Sequence, residues 1–222
     1  MQQLYRENPN LKRANVSIEF TKEKVQEYQK CMEDPVYFTE SYVKIISLDE
    51  GLIPFKLYDF QRQMMWTFHT ERFTICKLPR QSGKSTIIIA YLLHFCLFNP
   101  TVSVAILANK AVVARDLLGR FQLAYEHLPK WLQQGVMTWN KGSLELENGS
   151  KMLASSTSAS AVRGGSYNII FLDEGELAIM QPDSYEVRNI KGNQIISKDV
   201  EEIKYNLEEI EKGGYDHFMM KE

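Results

Sequence analysis

The residues whose types and spacing most clearly suggest a chemical role form a loop between two apolar segments, Leu78-Pro79-Arg80-Gln81-Ser82-Gly83-Lys84-Ser85. Residues 73–77 before it have the character of a buried strand, and residues 86–96 after it that of an apolar helix. A loop in this setting directs backbone N–H groups at phosphate oxygens. Lys84 would supply a positive charge for the phosphates, and the Ser85 hydroxyl a ligand for Mg²⁺. The spacing predicts a P-loop, with Leu78 in the place of the motif's first glycine.

A pair of acids follows a second apolar run. Residues 167–172 are mostly apolar and end in Asp173-Glu174. This is the Walker B arrangement, in which the first carboxylate serves Mg²⁺ and the second polarises an attacking water. Two acids after a strand also begin many helices, so the pair alone is a weak signal. Together and in this order, the two motifs predict a site for ATP and Mg²⁺.

Composition sets broad limits on the protein. The 222 residues are 44% hydrophobic, enough for one sizeable core and a small appendage. Residues 1–172 hold 20 Lys and Arg against 15 Asp and Glu, whereas residues 173–222 hold 6 against 13. The mildly basic body permits contact with a phosphate backbone, and a solvated surface explains it equally well. No segment resembles a signal peptide or a membrane span, so we expect a cytoplasmic protein without membrane contact. The three cysteines, Cys31, Cys76 and Cys96, lack metal spacing and are expected to be buried free thiols.

The order of elements predicts an α/β fold. Helices are expected over Thr21–Glu33 and Val36–Tyr42, from Asp59, and over Ala111–His127, with a strand over 102–108 and a hairpin over 139–153 turning at Asn148-Gly149. Residues 1–15 are polar and expected to be loose. The pattern predicts a P-loop NTPase parallel sheet with flanking helices over residues 1–174, truncated after the Walker B strand. A small tail, residues 175–222, is expected to hold a hairpin over 190–196 and an acidic helix over 199–212.

From Asn8 to Glu174 the chain resembles the N-terminal ATPase domain of the terminase large subunit of T4-like tailed phages. The resemblance is carried by Asp34-Pro35-Val36-Tyr37-Phe38, Leu57-Tyr58-Asp59-Phe60-Gln61-Arg62, Pro79-Arg80-Gln81-Ser82-Gly83-Lys84-Ser85, Trp139-Asn140-Lys141-Gly142-Ser143 and Ala161-Val162-Arg163-Gly164. It implies a motor ATPase that packages double-stranded DNA in the host cytoplasm and forms an oligomer only on the phage portal.

The resemblance also implies roles for single residues. Gln81, Ser82, Gly83, Lys84, Ser85 and Thr86 would hold ATP, and Ser85 with Asp173 would hold Mg²⁺. Arg80 would act on the γ-phosphate and Glu174 as the catalytic carboxylate. Gln61 would read adenine. Arg80 as a surface charge and Gln61 as a helix-surface amide remain open alternatives.

From about Phe171 to Glu222 the chain resembles a different family, glutamine–fructose-6-phosphate aminotransferase. This resemblance is carried by Phe171-Leu172-Asp173-Glu174-Gly175-Glu176-Leu177-Ala178, Lys191-Gly192-Asn193 and Glu211–Glu222. That family's nucleophile, an N-terminal cysteine, has no counterpart here. The two resemblances meet at Phe171-Leu172-Asp173-Glu174, which favours a chimera of two truncated parents.

The junction affects the expected activity. The terminase resemblance stops before the coupling strand, which would lie between the Walker A and Walker B strands, and before the nuclease domain. Residues 176–180 could fill that place, the two motif strands could pair directly, or Asp173 could lie away from Lys84. Since catalysis depends on positioning, we expect weak nucleotide binding with little or no turnover. An unrelated P-loop ATPase such as a helicase, and an inert or non-catalytic chimeric fragment, remain open.

Overall fold

The structure is a computed structural model that describes residues 4–47, 49–72, 74, 76, 78, 82–156, 165–173, 176–181 and 184–189, with the backbone alone from Asp173 onward. The chain divides into two compact units, residues 1–174 and 175–222. No helix in the described ranges is long and apolar enough to cross a membrane.

Five α-helices of the first unit confirm the sequence prediction. They are α1 (Lys22–Glu33), α2 (Pro35–Tyr42), α3 (Asp59–Thr70), α4 (Lys84–Phe98) and α5 (Ala111–Glu126). Local chemistry fixes their starts. The Thr21 hydroxyl accepts the N–H of Lys24 at the start of α1. Asp34 accepts the first N–H groups of α2, whose first residue is a proline.

A five-stranded sheet forms the centre of the unit. Its order is β4 (Val136–Trp139), β5 (Ser143–Leu146), β6 (Lys151–Ser156), β3 (Ser103–Ala108) and β7 (Ile169–Asp173). Strand β3 runs parallel to both β6 and β7, whereas β4, β5 and β6 are antiparallel. The sheet is therefore mixed rather than wholly parallel, because the hairpin predicted around Asn148-Gly149 joins it as strands β5 and β6. Strand β4 was not expected from the sequence.

Helix α4 lies at the centre of the hydrophobic core. Its buried residues, among them Ile87, Leu92, Leu93 and Cys96, occupy all sides of the helix. A helix that is apolar all round must be covered on every side. Helices α2, α3 and α5 pack against it and provide that cover. The loop before α4 is therefore attached to the most firmly held element of the unit.

Residues 4–15, the described part of the N-terminal segment, are ordered, contrary to the prediction that residues 1–15 are loose. Leu11 is 1% exposed, and the Lys12 N–H donates to Gln133 Oε1 at 3.0 Å. The Val136 N–H donates to the Lys12 carbonyl at 2.9 Å. The composition of this segment is polar, but its backbone groups are satisfied by side chains distant in sequence, which composition does not reveal. A second unexpected element is the hairpin of β1 (Lys44–Ser47) and β2 (Gly51–Pro54).

The cysteine prediction is right for two residues and wrong for the third. Cys31 and Cys96 are buried free thiols, whereas Cys76 is exposed. Burial raises the pKa of Cys96 to about 12. Burial, with the nearby charge of Glu27, also raises the pKa of Cys31 to about 12. Both buried thiols therefore stay protonated and unreactive at neutral pH.

The second unit contains one described hairpin, formed by β8 (Glu176–Gln181) and β9 (Ser184–Asn189). These strands form a two-stranded sheet of their own. Residues 176–180, which form most of β8, are thus paired with β9. The hairpin predicted over 190–196 and the helix predicted over 199–212 lie outside the described residues.

Candidate phosphate-binding site

The N-terminus of α4 has the backbone geometry of an anion site. Gly83 precedes the helix with φ 74° and ψ 13°, the left-handed conformation that glycine adopts without strain. Its side chain is absent, so no side-chain oxygen caps the first turn. The N–H groups at the start of an α-helix lack intrahelical acceptors, and they carry the positive end of the helix dipole. This turn can therefore donate hydrogen bonds to phosphate oxygens.

Three predicted site residues, Lys84, Ser85 and Thr86, lie on that first turn. Lys84 is exposed, and Ser85 is half-buried. Within the described part of the chain, Lys84 forms no ion pair and the Ser85 hydroxyl has no hydrogen-bond partner. A free ammonium and a free hydroxyl beside uncapped N–H groups are the donor set that a polyphosphate requires.

Gln61 is joined directly to this loop. The residue lies in the first turn of α3 and is 2% exposed. Its Nε2 donates to the Ser82 carbonyl at 3.2 Å, and its Oε1 accepts the Tyr58 N–H at 3.1 Å. A Cβ placed on Gly83 would lie 2.8 Å from Gln61 Nε2, so a side chain at position 83 would displace the Gln61 amide. The structure thus brings Gln61, Ser82 and Gly83 together.

A group of charged side chains holds the start of α3 against α2. Arg62 donates to Glu40 Oε1 at 2.8 Å and to Asp59 Oδ1 at 2.9 Å. Glu40 also accepts the Leu57 N–H at 3.1 Å. Burial acts to raise the pKa of Glu40, but the hydrogen bonds from Arg62 and the Leu57 N–H lower that pKa below its usual value. Glu40 is therefore an ionised acceptor at neutral pH and keeps the turn that carries Gln61 in place.

Thr86, which is also predicted to hold ATP, lies beside a cleft on α4. It lines a cleft of about 890 Å³ between α4, α5 and β1. The cleft has apolar walls that include Ile46 and Leu123, with Arg115 and Arg120 among its polar residues. The predicted role of Thr86 in holding ATP stays a prediction.

The Walker B strand is present as β7, in parallel register with β3. Asp173 is its last residue and stands opposite Ala108, the last residue of β3. Ile169 and Phe171 pack against the core, whereas Ile170 and Leu172 are 49% and 56% exposed. One face of this apolar strand, which lies at the edge of the described sheet, is therefore uncovered by the described residues.

Several predicted site residues cannot be assigned positions. Arg80, Gln81 and Glu174 lie outside the described residues, as do Phe73, Ile75 and Lys77 of the predicted Walker A strand. The Asp173 backbone ends β7, and nothing is described of its side chain. Their roles stay predictions. Of the two residues predicted to hold Mg²⁺, Ser85 is the one whose side chain is described, and its role stays a prediction. The described residues contain no cluster of three or more His, Cys, Asp or Glu side chains that could hold a metal.

The sequence missed the contact between α3 and the loop. The sequence did contain a signal for the hydrogen bond between Tyr58 and Gln61. Gln61 is the third helical residue after the N-cap Tyr58, and Gln or Glu at that position accepts the N-cap N–H. The bond from Gln61 to the Ser82 carbonyl joins residues 21 apart and has no local signature.

An α/β sheet with flanking helices, in which Gly83 precedes α4 and Lys84-Ser85 begin it, indicates a P-loop NTPase-like fold. Residues 75–181 match the family described as terminase large subunit, T4-like virus type, N-terminal. The crystal structure of the HK97 bacteriophage large terminase superposes with a TM-score of 0.53 and 20% identity, over 65% of this chain and 31% of that one. At this identity the superposition shows a shared fold. The predicted resemblance to large terminases is confirmed for this region.

The second resemblance is confirmed as well. The glutamine–fructose-6-phosphate aminotransferase of Thermococcus kodakarensis is 52% identical over 54 residues, which is 24% of this chain and 9% of that enzyme. The corresponding enzyme of Methanosarcina mazei is 30% identical over 149 residues, 64% of this chain and 23% of that enzyme. The latter alignment is longer than the predicted tail and must include residues before Phe171. The chain spans less than a quarter of the length of either relative.

Proposed function

We propose that the first unit binds the triphosphate of ATP at the start of α4, as the motor ATPase part of a phage DNA-packaging terminase large subunit. The observation that carries the proposal is the left-handed Gly83 before an uncapped helix, followed at once by Lys84 and Ser85. Its support from outside the chain is the match of residues 75–181 to the large-terminase family.

The proposal assigns a role to each predicted site residue. The backbone N–H groups of the first turn of α4 bind phosphate oxygens, and the Lys84 ammonium neutralises part of their charge. Ser85 and Asp173 would hold Mg²⁺, which when bound offsets the negative charge of the phosphates. Arg80 and Glu174 would complete the site, with Arg80 on the γ-phosphate and Glu174 orienting the attacking water.

A nucleotide titration tests the proposal. Isothermal titration of the full chain with ATP and Mg²⁺ is expected to show weak but saturable binding. Lys84→Ala should weaken that binding at least ~10-fold, because a charge-assisted contact to phosphate is lost. Lys110→Ala, which removes a lysine just before α5, is the matched control and should leave the affinity unchanged. Equal affinity of the wild type and Lys84→Ala would refute the proposal.

The role in DNA packaging needs a separate measurement. ATP hydrolysis that rises on addition of double-stranded DNA would support a packaging motor and disfavour an inert fragment. Binding to a purified phage portal would favour a terminase over a helicase. Binding of ATP without either response would leave nucleotide binding standing and contradict the motor role.

An inert chimeric product is a second candidate, and one observation favours it. Strand β8 pairs with β9 in a separate sheet, and among the described strands β7 has β3 as its neighbour. The strand expected on the other side of β7 therefore has no replacement in the described tail. Robust hydrolysis that Lys84→Ala abolishes would exclude this candidate.

A further inference from the structure

We infer that Gln61 positions the phosphate-binding loop for any triphosphate instead of reading the adenine base; the inference rests on the proposed function. Both functional ends of its amide are already bonded within the protein. Oε1 accepts the Tyr58 N–H, and Nε2 donates to the Ser82 carbonyl. Each end of the amide keeps one further bonding position, but at 2% exposure the side chain is covered, so in this arrangement it does not present an N–H and an oxygen to the edge of an adenine ring.

The bond to Ser82 controls where the next N–H points. A trans peptide unit is planar, so the Ser82 carbonyl and the Gly83 N–H of the same unit point in opposite directions. Because Gln61 holds the carbonyl toward α3, the Gly83 N–H is turned away from α3. Gly83 in turn accepts the Ile87 N–H at 3.1 Å, which joins the loop to the first hydrogen bond of α4. Gln61 therefore fixes the orientation of the Gly83 N–H before any ligand binds.

The fit between the two residues is close. A Cβ at position 83 would lie 2.8 Å from Gln61 Nε2, so the amide would have to shift to admit a side chain there. The positive φ of Gly83 favours glycine, and this contact means that a larger residue would also displace Gln61. The turn that carries Gln61 is itself fixed to α2 through Arg62 and Glu40. A donor mounted on a fixed turn can hold a loop, because it loses little entropy on forming the bond.

Hydrogen exchange of the ligand-free full chain tests the positioning directly. In Gln61→Met the side chain keeps its length but donates no hydrogen bond to Ser82. The Ile87 N–H, which donates to the Gly83 carbonyl, is the protected amide that reports on the loop. We expect its exchange to accelerate about 10-fold, while exchange in the β5–β6 hairpin stays unchanged. Gln63→Met, at an exposed position of the same helix, is the matched control and should alter neither. Unchanged exchange of the Ile87 amide in Gln61→Met would overturn the inference whether or not the protein binds nucleotide.

Ligand selectivity separates positioning from base reading. ATP, GTP and inorganic tripolyphosphate share the triphosphate, and the last has no base. If Gln61 positions the loop, Gln61→Met should weaken the binding of all three ligands by a similar factor, about 10-fold, because the N–H groups that bind phosphate are misoriented. A loss confined to ATP would assign Gln61 to the base and overturn the inference. If Gln61→Met does not fold, Gln61→Glu at pH 8 replaces it, since Glu retains the acceptor for the Tyr58 N–H and lacks the donor.

The two proposals fail in different ways. If the wild type binds none of the three ligands, the proposed function is wrong, and the exchange experiment still decides whether Gln61 holds the loop. If the wild type binds and Gln61→Met binds equally well, nucleotide binding stands and the positioning role falls.

Discussion

Acidification is expected to destabilise the first unit through one buried imidazole, that of His94. The residue lies on α4 and is 1% exposed. Its Nε2 lies 2.9 Å from the Cys31 carbonyl, which requires the proton on Nε2. Its Nδ1 has no hydrogen-bond partner in the described part of the chain. A second proton on Nδ1 would therefore create a buried charge without an acceptor.

The magnitude follows from the shift in pKa. Burial lowers the pKa of His94 to about 4, with a smaller contribution from His69, against the opposing hydrogen bond to Cys31. In the unfolded chain the pKa returns to about 6.5. Since the unfolded state binds the proton more readily, stability is full above pH 6.5 and is lost as the pH falls toward 4. The loss amounts to about 2 kcal/mol at pH 5 and about 3 kcal/mol below pH 4.

Urea unfolding at pH 8 and pH 5, followed by circular dichroism, measures this loss. Acidic residues also respond to pH, so the comparison is made with His94→Gln, whose Nε2 can still reach the Cys31 carbonyl but does not titrate. The wild type should lose about 2 kcal/mol more than His94→Gln between the two pH values. The same loss in both proteins would refute the assignment of the effect to His94.

Three further substitutions test the contacts around the site and the core. Asn148→Asp should lower the free energy of unfolding in urea by about 2 kcal/mol. Asn148 Nδ2 donates to the Cys96 carbonyl near the end of α4, and a carboxylate would repel that carbonyl. An unchanged urea midpoint would contradict this. Gly83→Ala should cost about 1–2 kcal/mol through its positive φ and its clash with Gln61, seen as a lower Tm, and an equal Tm would show that the loop relaxes freely. Gln133→Leu should lower the free energy of unfolding by about 2–4 kcal/mol and speed amide exchange in residues 8–13. The reason is that Gln133 Nε2 donates to three backbone carbonyls, including that of Asn10. Preserved exchange protection in residues 8–13 would contradict the anchoring role of Gln133.

The sequence predicted the parts of the fold that have local causes. Helix α1 begins where Thr21 can cap it, and α2 where Asp34 precedes a proline. Strand β3 follows from the apolar content of its segment. The β5–β6 hairpin follows from the turn signal Asn148-Gly149, where Gly149 adopts φ 83°. In each case the signal and the structure lie within a few residues of each other.

The parts that were missed depend on contacts between distant residues. The N-terminal segment is polar in composition, yet Gln133 supplies both a donor and an acceptor to its backbone from more than 120 residues away. The β1–β2 hairpin consists of four-residue strands, too short for a clear alternation signal. At the site, the loop pattern located Ser82-Gly83-Lys84-Ser85, but the bond between Gln61 and the Ser82 carbonyl follows from the packing of α3 beside α4.

Binding and hydrolysis depend on different stretches of this chain. The described contacts that shape the phosphate-binding turn all lie between α2 and α4, within residues 35–98, well before the junction of the two resemblances. The proposed catalytic carboxylate, Glu174, lies at the junction itself, after a strand with one exposed apolar face. A turn that is already oriented by Gln61 can hold a triphosphate without help from the residues that follow, whereas hydrolysis needs a carboxylate placed to within about an ångström. The chain is therefore expected to retain nucleotide binding in conditions where turnover is lost, and the two activities should respond independently to substitutions on either side of Asp173.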